Sequence, residues 1–324
     1  MNSTITSVSG LEVGHYTDLD NATGCTVIIC RRGAVGGVDV RGGSPGTRET
    51  DLLRPVYRVN QVHAVVLSGG SAFGLDSASG AMRYLSQNGI GIQAGPALVP
   101  IVSAAILFDL GLVTEKVYPT SADGFTASAA ATTNSMPEGS VGAGTGATVG
   151  KVLGIERSIK AGIGSASIQV PGGFTIAAAI AVNAYGGIVD YRTGQVLAGP
   201  RREDHPGFLD SNALLLEQGA SEIGPPLTNT TIGVVATDAQ LTKEDANHLS
   251  RVAHDGLAMS IRPCHTMRDG DTMFTMATGA ASGTPDMTVL GAAAVEVTAQ
   301  AVLRAVQTAT GLGGIPALRD LDRG

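Results

Sequence analysis

The chain has 324 residues, of which 43% are hydrophobic, and it contains 45 glycines and no tryptophan. This length and apolar content can bury a substantial core built from Ala, Val, Ile and Leu, which excludes a disordered chain. The formal net charge of −7 argues against a nucleic-acid partner, because phosphate binding needs clustered Lys and Arg.

Short apolar and β-branched runs, each bounded by Gly, Pro or Asn, predict strands along the chain. A further strand-like run, Thr-Met-Phe-Thr-Met, begins at Thr272. The predicted strands are Cys25 to Cys30, His63 to Leu67, Pro100 to Phe108, Ser165 to Val170, Ile176 to Asn183 and Thr231 to Thr237.

Three longer segments carry apolar residues at helical spacing. Ser71 is expected to cap a helix from Ala72 to Gln87, and Thr242 to cap a second helix that runs through Met259. The third helix, about Val289 to Ala309, is apolar over so much of its surface that we expect it to be buried. Strands and helices together indicate a layered α+β or α/β domain.

The sequence also indicates where the protein is located. Cys25, Cys30 and Cys264 are scattered and include no CxxC pair, which favours a reducing compartment. The amino terminus lacks the basic and apolar regions of a secretory signal. The most apolar run, 175–182, is too short to span a bilayer. We therefore expect a cytoplasmic protein without a membrane partner.

The main functional signal is the stretch 228–237, where hydroxyl residues open an apolar strand directly after a polar loop containing Pro225 and Pro226. A chain break there would release Thr230 as a new N-terminus. Such a threonine carries its own base, because its α-amino group titrates near ~8, while a free hydroxyl is a poor nucleophile. The alternative is that Thr-Thr before Ile-x-Val-Val is ordinary strand composition.

A second signal is Asp269-Gly270-Asp271. Asp-Gly-Asp is most often a solvated turn. As a constellation, the two carboxylates could instead orient an ammonium and a hydroxyl group. A metal site is a weaker interpretation, because no histidine lies at a convincing spacing and Gly270 completes no coordination loop. No metal is expected.

The glycine-rich stretch 142–150, followed by Lys151, imitates a phosphate-binding loop. The register does not fit, because Thr145 stands where that loop needs glycine and Val152 where it needs Ser or Thr. The match to a dinucleotide fingerprint is also partial, with no clear strand before it and no clear helix after it. No cofactor is expected.

Several segments taken together resemble a known family of N-terminal-nucleophile hydrolases, which includes L-aminopeptidase/D-esterase, β-peptidyl aminopeptidase and nylon-oligomer hydrolase. The likeness runs through most of the chain. It implies an α+β fold of the αββα sandwich type in a single hydrolase domain, 1–324. The segments that carry it are Gly42 to Thr47, Leu67 to Leu75, Val182 to Ala184, Asn229 to Ile232, Val235 to Ala239 and His265 to Phe274.

The resemblance implies self-cleavage between Asn229 and Thr230, giving chains 1–229 and 230–324. It selects Thr230 over Thr231 and Thr228 as the nucleophile, a choice that spacing alone does not make. The Thr230 hydroxyl would attack the Asn229 carbonyl, and water would release the ester formed by the N-to-O acyl shift.

Further site residues follow from the same resemblance. Asp269 and Asp271 would lie beside the new amine and hydroxyl, Asn183 would donate its amide to the oxyanion, and Lys151 would lie beside the nucleophile. One position departs from the family. Phe108 stands where relatives place a tyrosine near the substrate, so that phenolic donor is missing and the relatives' specific substrates are not carried over.

The implied function is a self-processing amide hydrolase, most simply an aminopeptidase that acts on small peptides or peptide-like amides. Two alternatives stay open, a hydrolase of 6-aminohexanoate oligomers and an unprocessed scaffold that keeps the fold as a binding module. The resemblance also implies a homo-oligomer of cleaved units.

Overall fold

The computed structural model describes residues 2–219 and 229–321. Pro225, Pro226 and Thr228, which precede the predicted cleavage site, lie outside the described residues. The strands are β1 (Glu12–Asp18), β2 (Thr23–Val40), β3 (Thr47–Arg48), β4 (Val62–Ser68), β5 (Ile92–Ala94), β6 (Ala97–Val99), β7 (Val102–Ile106), β8 (Thr148–Val149), β9 (Ile159–Lys160), β10 (Ile163–Gln169), β11 (Thr175–Asn183), β12 (Gly187–Val189), β13 (Val196–Ala198), β14 (Thr230–Thr237), β15 (Ile261–Arg262) and β16 (Thr272–Ala277). The helices are α1 (Ser77–Gln87), α2 (Ser121–Ala129), α3 (Ser211–Gln218), α4 (Lys243–Ser260), α5 (Met287–Gln307) and α6 (Leu318–Leu321).

The long strand β2 belongs to two sheets. Its first part pairs with β1 and β4, and its last part pairs with β16, with a register shift between Ile29 and Ala34 where it passes from one sheet to the other. We call the sheet of β1, β2, β4, β7 and β3 sheet A, and the sheet β10-β11-β14-β16-β2 sheet B. The pairs β14–β16 and β4–β7 are parallel.

Alternation along the strands places the two sheets face to face between pairs of helices. On β11, Ile180 packs in the core against α5, while Ala179 joins the core between the sheets. On β2, Ile28 lies between the sheets, and Val27 faces Ala81 in the core beneath α1. The order of layers is α1/α2, sheet A, sheet B, α4/α5, which confirms the αββα sandwich.

Two of the predicted helices form close to the expected positions. The Thr242 hydroxyl caps α4, accepting from the Asp245 amide at 3.2 Å, while the Asp245 carboxylate accepts in return from the Thr242 amide at 3.3 Å. Helix α5 is long and apolar enough to cross a membrane by length and composition, but 67% of its apolar window is buried, against α4, β10 and β11. Packing in the core accounts for its composition.

The predicted cap at Ser71 is wrong. The chain forms a 3-10 turn over Ser71–Asp76, and α1 begins only at Ser77. Ser71 has φ 53°, in the left-handed region, whereas a helix cap needs an extended backbone. Its amide donates to the Leu107 carbonyl at 3.0 Å, so the turn is fastened to the end of β7 instead of starting a helix.

Candidate active site

The end of β11, the start of β14 and the loop before β16 meet at one edge of sheet B. Asn183 closes β11 and pairs with Thr230, the first residue of β14. Asn229 forms a parallel bridge with Asp269. Thr230, Asn183 and Asp269 are each at most 3% exposed, so the structure brings these predicted site residues together in a buried position.

The Thr230 hydroxyl lies against the bond predicted to break. It donates a hydrogen bond to the carbonyl of Asn229 in a very short contact. The same carbonyl oxygen accepts from the Gly270 amide at 3.1 Å. By contrast, the Thr231 hydroxyl is buried and has no hydrogen-bond partner among residues 2–219 and 229–321. Of these two threonines, Thr230 is the one whose hydroxyl contacts the carbonyl that precedes it.

Gly270 occurs where only a glycine fits. A Cβ atom at this position would lie 2.5 Å from the Ser44 carbonyl oxygen and 2.8 Å from the Thr230 hydroxyl oxygen. The neighbouring loop is tied in place, because the Ser44 amide donates to the Asp269 carbonyl at 2.9 Å. Asp269 and Asp271 are each 1% exposed, so this segment is not the solvated turn that Asp-Gly-Asp usually forms.

Asp271 connects the start of β14 to the segment before β16. One carboxylate oxygen, Oδ1, accepts from the Thr231 amide at 2.7 Å. The other, Oδ2, accepts from the His265 amide at 2.9 Å and from His265 Nδ1 at 2.7 Å. The carboxylate is therefore fixed in orientation beside the start of β14.

Asp269 is held by a different set of donors. Its Oδ1 accepts from the Tyr185 amide at 3.2 Å, and its Oδ2 from the Thr266 amide at 3.1 Å and the Thr266 hydroxyl at 2.5 Å. Burial, together with the charge of Asp271, raises the pKa of Asp269 to about 6. Asp269 can therefore exchange a proton near neutral pH.

Lys151 and Asn183 form a buried pair in the same edge. Lys151 Nζ donates to the Asn183 side-chain oxygen at 2.8 Å and to its carbonyl at 3.1 Å. Burial lowers the pKa of Lys151 to about 7, against the opposing effect of nearby carboxylates. The Asn183 amide group donates to the Phe108 carbonyl at 2.8 Å in this uncleaved chain. Its predicted donation to an oxyanion stays a prediction.

A cavity of about 480 Å³ opens beside these residues. Phe108, the position that the resemblance places near the substrate, forms part of its wall. Lys151 and Asn229 reach it from the site, and much of the remaining lining is apolar. Its apolar lining residues include Leu110, Leu112 and Ile155.

Tyr185 is a cavity residue that sequence reasoning missed. It is 3% exposed, and its hydroxyl has no hydrogen-bond partner within the described part of the chain. The Arg268 guanidinium lies 5.4 Å from the centre of its ring. The only available signal was that Tyr185 comes two residues after Asn183, and a single sequence does not show that the chain turns into the cavity there.

Comparison with known proteins assigns the family. Residues 3–318 match the family model described as Peptidase family S58. The chain belongs to this peptidase family. An uncharacterised aminopeptidase of Mycobacterium tuberculosis is 41% identical, over 99% of this chain and 98% of the relative. A 6-aminohexanoate-oligomer endohydrolase of Paenarthrobacter ureafaciens is 33% identical, over 91% of this chain and 84% of the relative.

Solved structures agree on the fold of this S58 member. A β-aminopeptidase of Burkholderia sp. superposes with a TM-score of 0.68 at 22% identity, covering 100% of this chain and 94% of that one. An L-aminopeptidase D-Ala-esterase/amidase of Ochrobactrum anthropi, described as a variant of the N-terminal-nucleophile hydrolase fold, gives 0.70 at 20% identity, covering 97% and 88%. Family membership makes the protein an amide-bond hydrolase.

Proposed function

We propose that this protein is a self-cleaving N-terminal-threonine amide hydrolase, most simply an aminopeptidase that acts on small peptides or peptide-like amides. The observation that carries the proposal is the contact of the Thr230 hydroxyl with the Asn229 carbonyl, whose oxygen also accepts from the Gly270 amide. The nucleophile, the bond to be broken and a donor for the developing charge are already together.

Self-cleavage follows from that arrangement. Thr230 Oγ1 attacks the Asn229 carbonyl carbon, and the Gly270 amide stabilises the negative charge on the oxygen. The C–N bond then breaks, the Thr230 nitrogen takes up a proton, and an ester remains until water hydrolyses it. We assign the hydroxyl proton to Lys151 as base, because the resemblance implies a lysine beside the nucleophile and because Lys151 Nζ contacts Asn183, the residue that pairs with Thr230. The lowered pKa of Lys151, about 7, is consistent with this role.

Turnover then uses the new α-amine of Thr230 as the base for its own hydroxyl. Carboxylates close to an ammonium favour its charged form, so Asp269 and Asp271 must orient the amine and relay protons as well as attract it. Asp269 is suited to relay, since its pKa is about 6. Asn183, held by Lys151, would contribute its amide to the oxyanion of the substrate.

The cavity supports a preference among substrates. Phe108, Leu110 and Leu112 give it an apolar wall, which suits short apolar acyl groups such as alanyl, leucyl or β-homo residues. The carboxylates of Asp269 and Asp271 give the site local negative charge that attracts a free amino group. Amides with an unblocked amine should therefore react fastest.

A second candidate is the hydrolysis of 6-aminohexanoate oligomers. It is supported by the 33% identity with an enzyme named for that activity and by the apolar lining of the cavity, which suits a polymethylene chain. The missing phenol at Phe108 argues against adopting that substrate directly.

The test is a panel of aminoacyl p-nitroanilides and 6-aminohexanoate oligomers, each with free and acetylated amine, compared by kcat/KM. Thr230→Ala should stay one chain and hydrolyse nothing, while the matched control Thr231→Ala should still cleave and turn over. Equal rates for free and acetylated amides would exclude amine recognition. Faster turnover of the oligomers would favour the second candidate, and an intact, inactive wild type would favour the scaffold.

A further inference from the structure

His265 donates two hydrogen bonds to one carboxylate oxygen of Asp271. Its main-chain amide lies 2.9 Å and its Nδ1 2.7 Å from Asp271 Oδ2. The side chain of Asp271 is 2% exposed and that of His265 18%. Two hydrogen bonds to a single carboxylate oxygen fix both the position and the rotation of the carboxylate.

The backbone at His265 has an uncommon conformation, which allows both hydrogen bonds to form. Its φ is 57°, in the left-handed region that residues with a Cβ rarely enter. With this backbone, the amide and the ring of one residue converge on the same acceptor. Strained residues of this kind persist where the surrounding structure holds them, and they concentrate at functional sites.

The opposite oxygen of Asp271 reaches the strand of the nucleophile. Asp271 Oδ1 accepts from the Thr231 amide at 2.7 Å, and Thr231 directly follows Thr230. A continuous chain of hydrogen bonds therefore runs from His265 through one carboxylate to the residue beside the nucleophile. Displacing His265 would let the carboxylate rotate and loosen the start of β14.

The groups around the His265 ring favour its positive charge. His254 lies edge-on at 4.7 Å between ring centres, and burial lowers its pKa to about 4, so it remains neutral. Burial also acts against charge on His265, but hydrogen bonds to Asp271 and Cys264 raise its pKa to about 10. Asp39 and Arg41 lie on the far side, around His254.

We propose that His265 is a positioning residue that acts through Asp271 to hold the start of β14, and with it the Thr230 hydroxyl, in the orientation required for self-cleavage and turnover. This inference rests on the function proposed above. His265 is not among the residues that line the cavity, and its hydrogen bonds to Asp271 are the route by which its effect reaches the nucleophile.

Two variants separate positioning from packing. His265→Asn tolerates a left-handed backbone and can place an amide donor near the position of Nδ1, whereas His265→Phe keeps a ring against His254 but has no side-chain donor. The matched control is His248→Phe, because His248 is an exposed histidine on α4. Folding of every variant is checked by circular dichroism and thermal unfolding.

We expect His265→Phe to slow self-cleavage and kcat about 10- to 100-fold, the scale of a misplaced reacting group. His265→Asn should recover most of the rate, and His248→Phe should match the wild type. The loss should fall on kcat while KM stays near the wild-type value, because His265 is not among the residues that line the cavity.

A folded His265→Phe variant with the wild-type cleavage rate and kcat would overturn the inference while leaving the proposed function in place. If His265→Phe does not fold, the test is His265→Asn, which should keep most of the wild-type rate. A folded His265→Asn variant as slow as Thr230→Ala would overturn the inference. A wild-type chain that never cleaves at Thr230 would overturn both the proposed function and this inference, so the two failures are distinguishable.

Discussion

Gly270 packs too closely against its neighbours to carry a side chain. Its amide donates to the Asn229 carbonyl, and the space that a Cβ would occupy is filled by the Ser44 carbonyl and the Thr230 hydroxyl. The Ser44 loop, the Asp269–Asp271 segment and the Thr230 hydroxyl can meet only because Gly270 has no side chain. The placement of Asp269 and Asp271 beside Thr230 therefore requires a glycine between them.

Gly270→Ala should therefore slow self-cleavage by about 100-fold or more, since a shift of about 1 Å in reacting groups has that effect. The Ser44 carbonyl is backbone and cannot move aside easily, so the Thr230 hydroxyl must yield. The measurement is the fraction of cleaved chain against time after expression.

The matched control is Gly291→Ala in α5, where the nearest atom outside the helix backbone is Val252 Cγ2 at 3.8 Å. This variant should cleave like the wild type. Unchanged cleavage in Gly270→Ala would show that the close approach has no part in the reaction.

The Tyr185 hydroxyl is buried in the wall of the cavity and has no hydrogen-bond partner within the described residues. Burial raises the pKa of Tyr185, so the phenol keeps its proton and can donate to a substrate in the cavity. Tyr185→Phe keeps the ring beside Arg268, so self-cleavage should be unchanged. We expect kcat/KM to fall about 5- to 30-fold, the effect of one lost hydrogen bond of about 1–2 kcal/mol. Identical kcat/KM for every amide in the panel would exclude this contact.

Strand β14 begins at the predicted cleavage site and pairs with a strand on each side. It lies between β11 and β16 in sheet B, and its register with β11 runs from Asn183↔Thr230 to Ile176↔Thr237. Cleavage before Thr230 would leave β11 and β14 on different chains while every one of these strand pairs persists. Cleavage breaks one peptide bond at the start of β14 and leaves the hydrogen bonds of the sheet in place.

We therefore expect the two fragments of the cleaved protein to elute together in native gel filtration and to separate only in denaturant. Thr230→Ala, which stays intact, supplies the reference elution volume for the fold. Fragments that elute separately under native conditions would contradict the description of sheet B as one sheet held together by the pairing of β14 with β11.

The sequence predicted elements well where a run was apolar on both faces. β4, β11 and β14 begin and end within about a residue of the predicted bounds, because β-branched and alanine runs are bounded by turn residues. The second half of β2 could not be predicted, since its glycines indicate a loop. A Cβ at Gly37 would overlap the Ala246 backbone of α4, so this glycine serves helix packing that a sequence does not display.

The proximity of Thr230, Asp269 and Asp271 could be predicted, because each lies in a contiguous motif that resembles a family, and the structure brings these segments together. Their catalytic roles stay a prediction. Tyr185 and His265 gain their importance from partners that tertiary structure supplies, the cavity for Tyr185 and a left-handed backbone beneath Asp271 for His265. Neither a cavity nor a backbone angle is visible in residue spacing.

The stability of the whole molecule depends on pH through a buried lysine, Lys160. Lys160 is fully buried, and its Nζ donates to the Gly144 carbonyl at 3.1 Å and to the Ala161 carbonyl. Burial lowers its pKa from 10.5 to about 7, opposed by the charge of Asp109. Between these values the unfolded chain binds more protons than the folded chain, so the free energy of unfolding rises with pH.

Lys160→Met should flatten this rise, by up to about 1.4 kcal/mol per pH unit, because one proton no longer distinguishes the two states. The variant loses two hydrogen bonds to carbonyls and should be less stable overall, so the slope is the quantity to compare. Urea unfolding at pH 7.5 and 9.5 measures it, in the Thr230→Ala background so that a single chain unfolds. An unchanged slope would contradict the lowered pKa of Lys160.

The most direct test of the central claim is intact-mass analysis of the purified wild-type protein together with N-terminal sequencing. We predict two chains, residues 1–229 and 230–324, with the second beginning Thr-Thr-Ile-Gly at Thr230. A single uncut chain of 32.7 kDa, or a second chain that begins at any other residue, would contradict the assignment of Thr230 as the nucleophile.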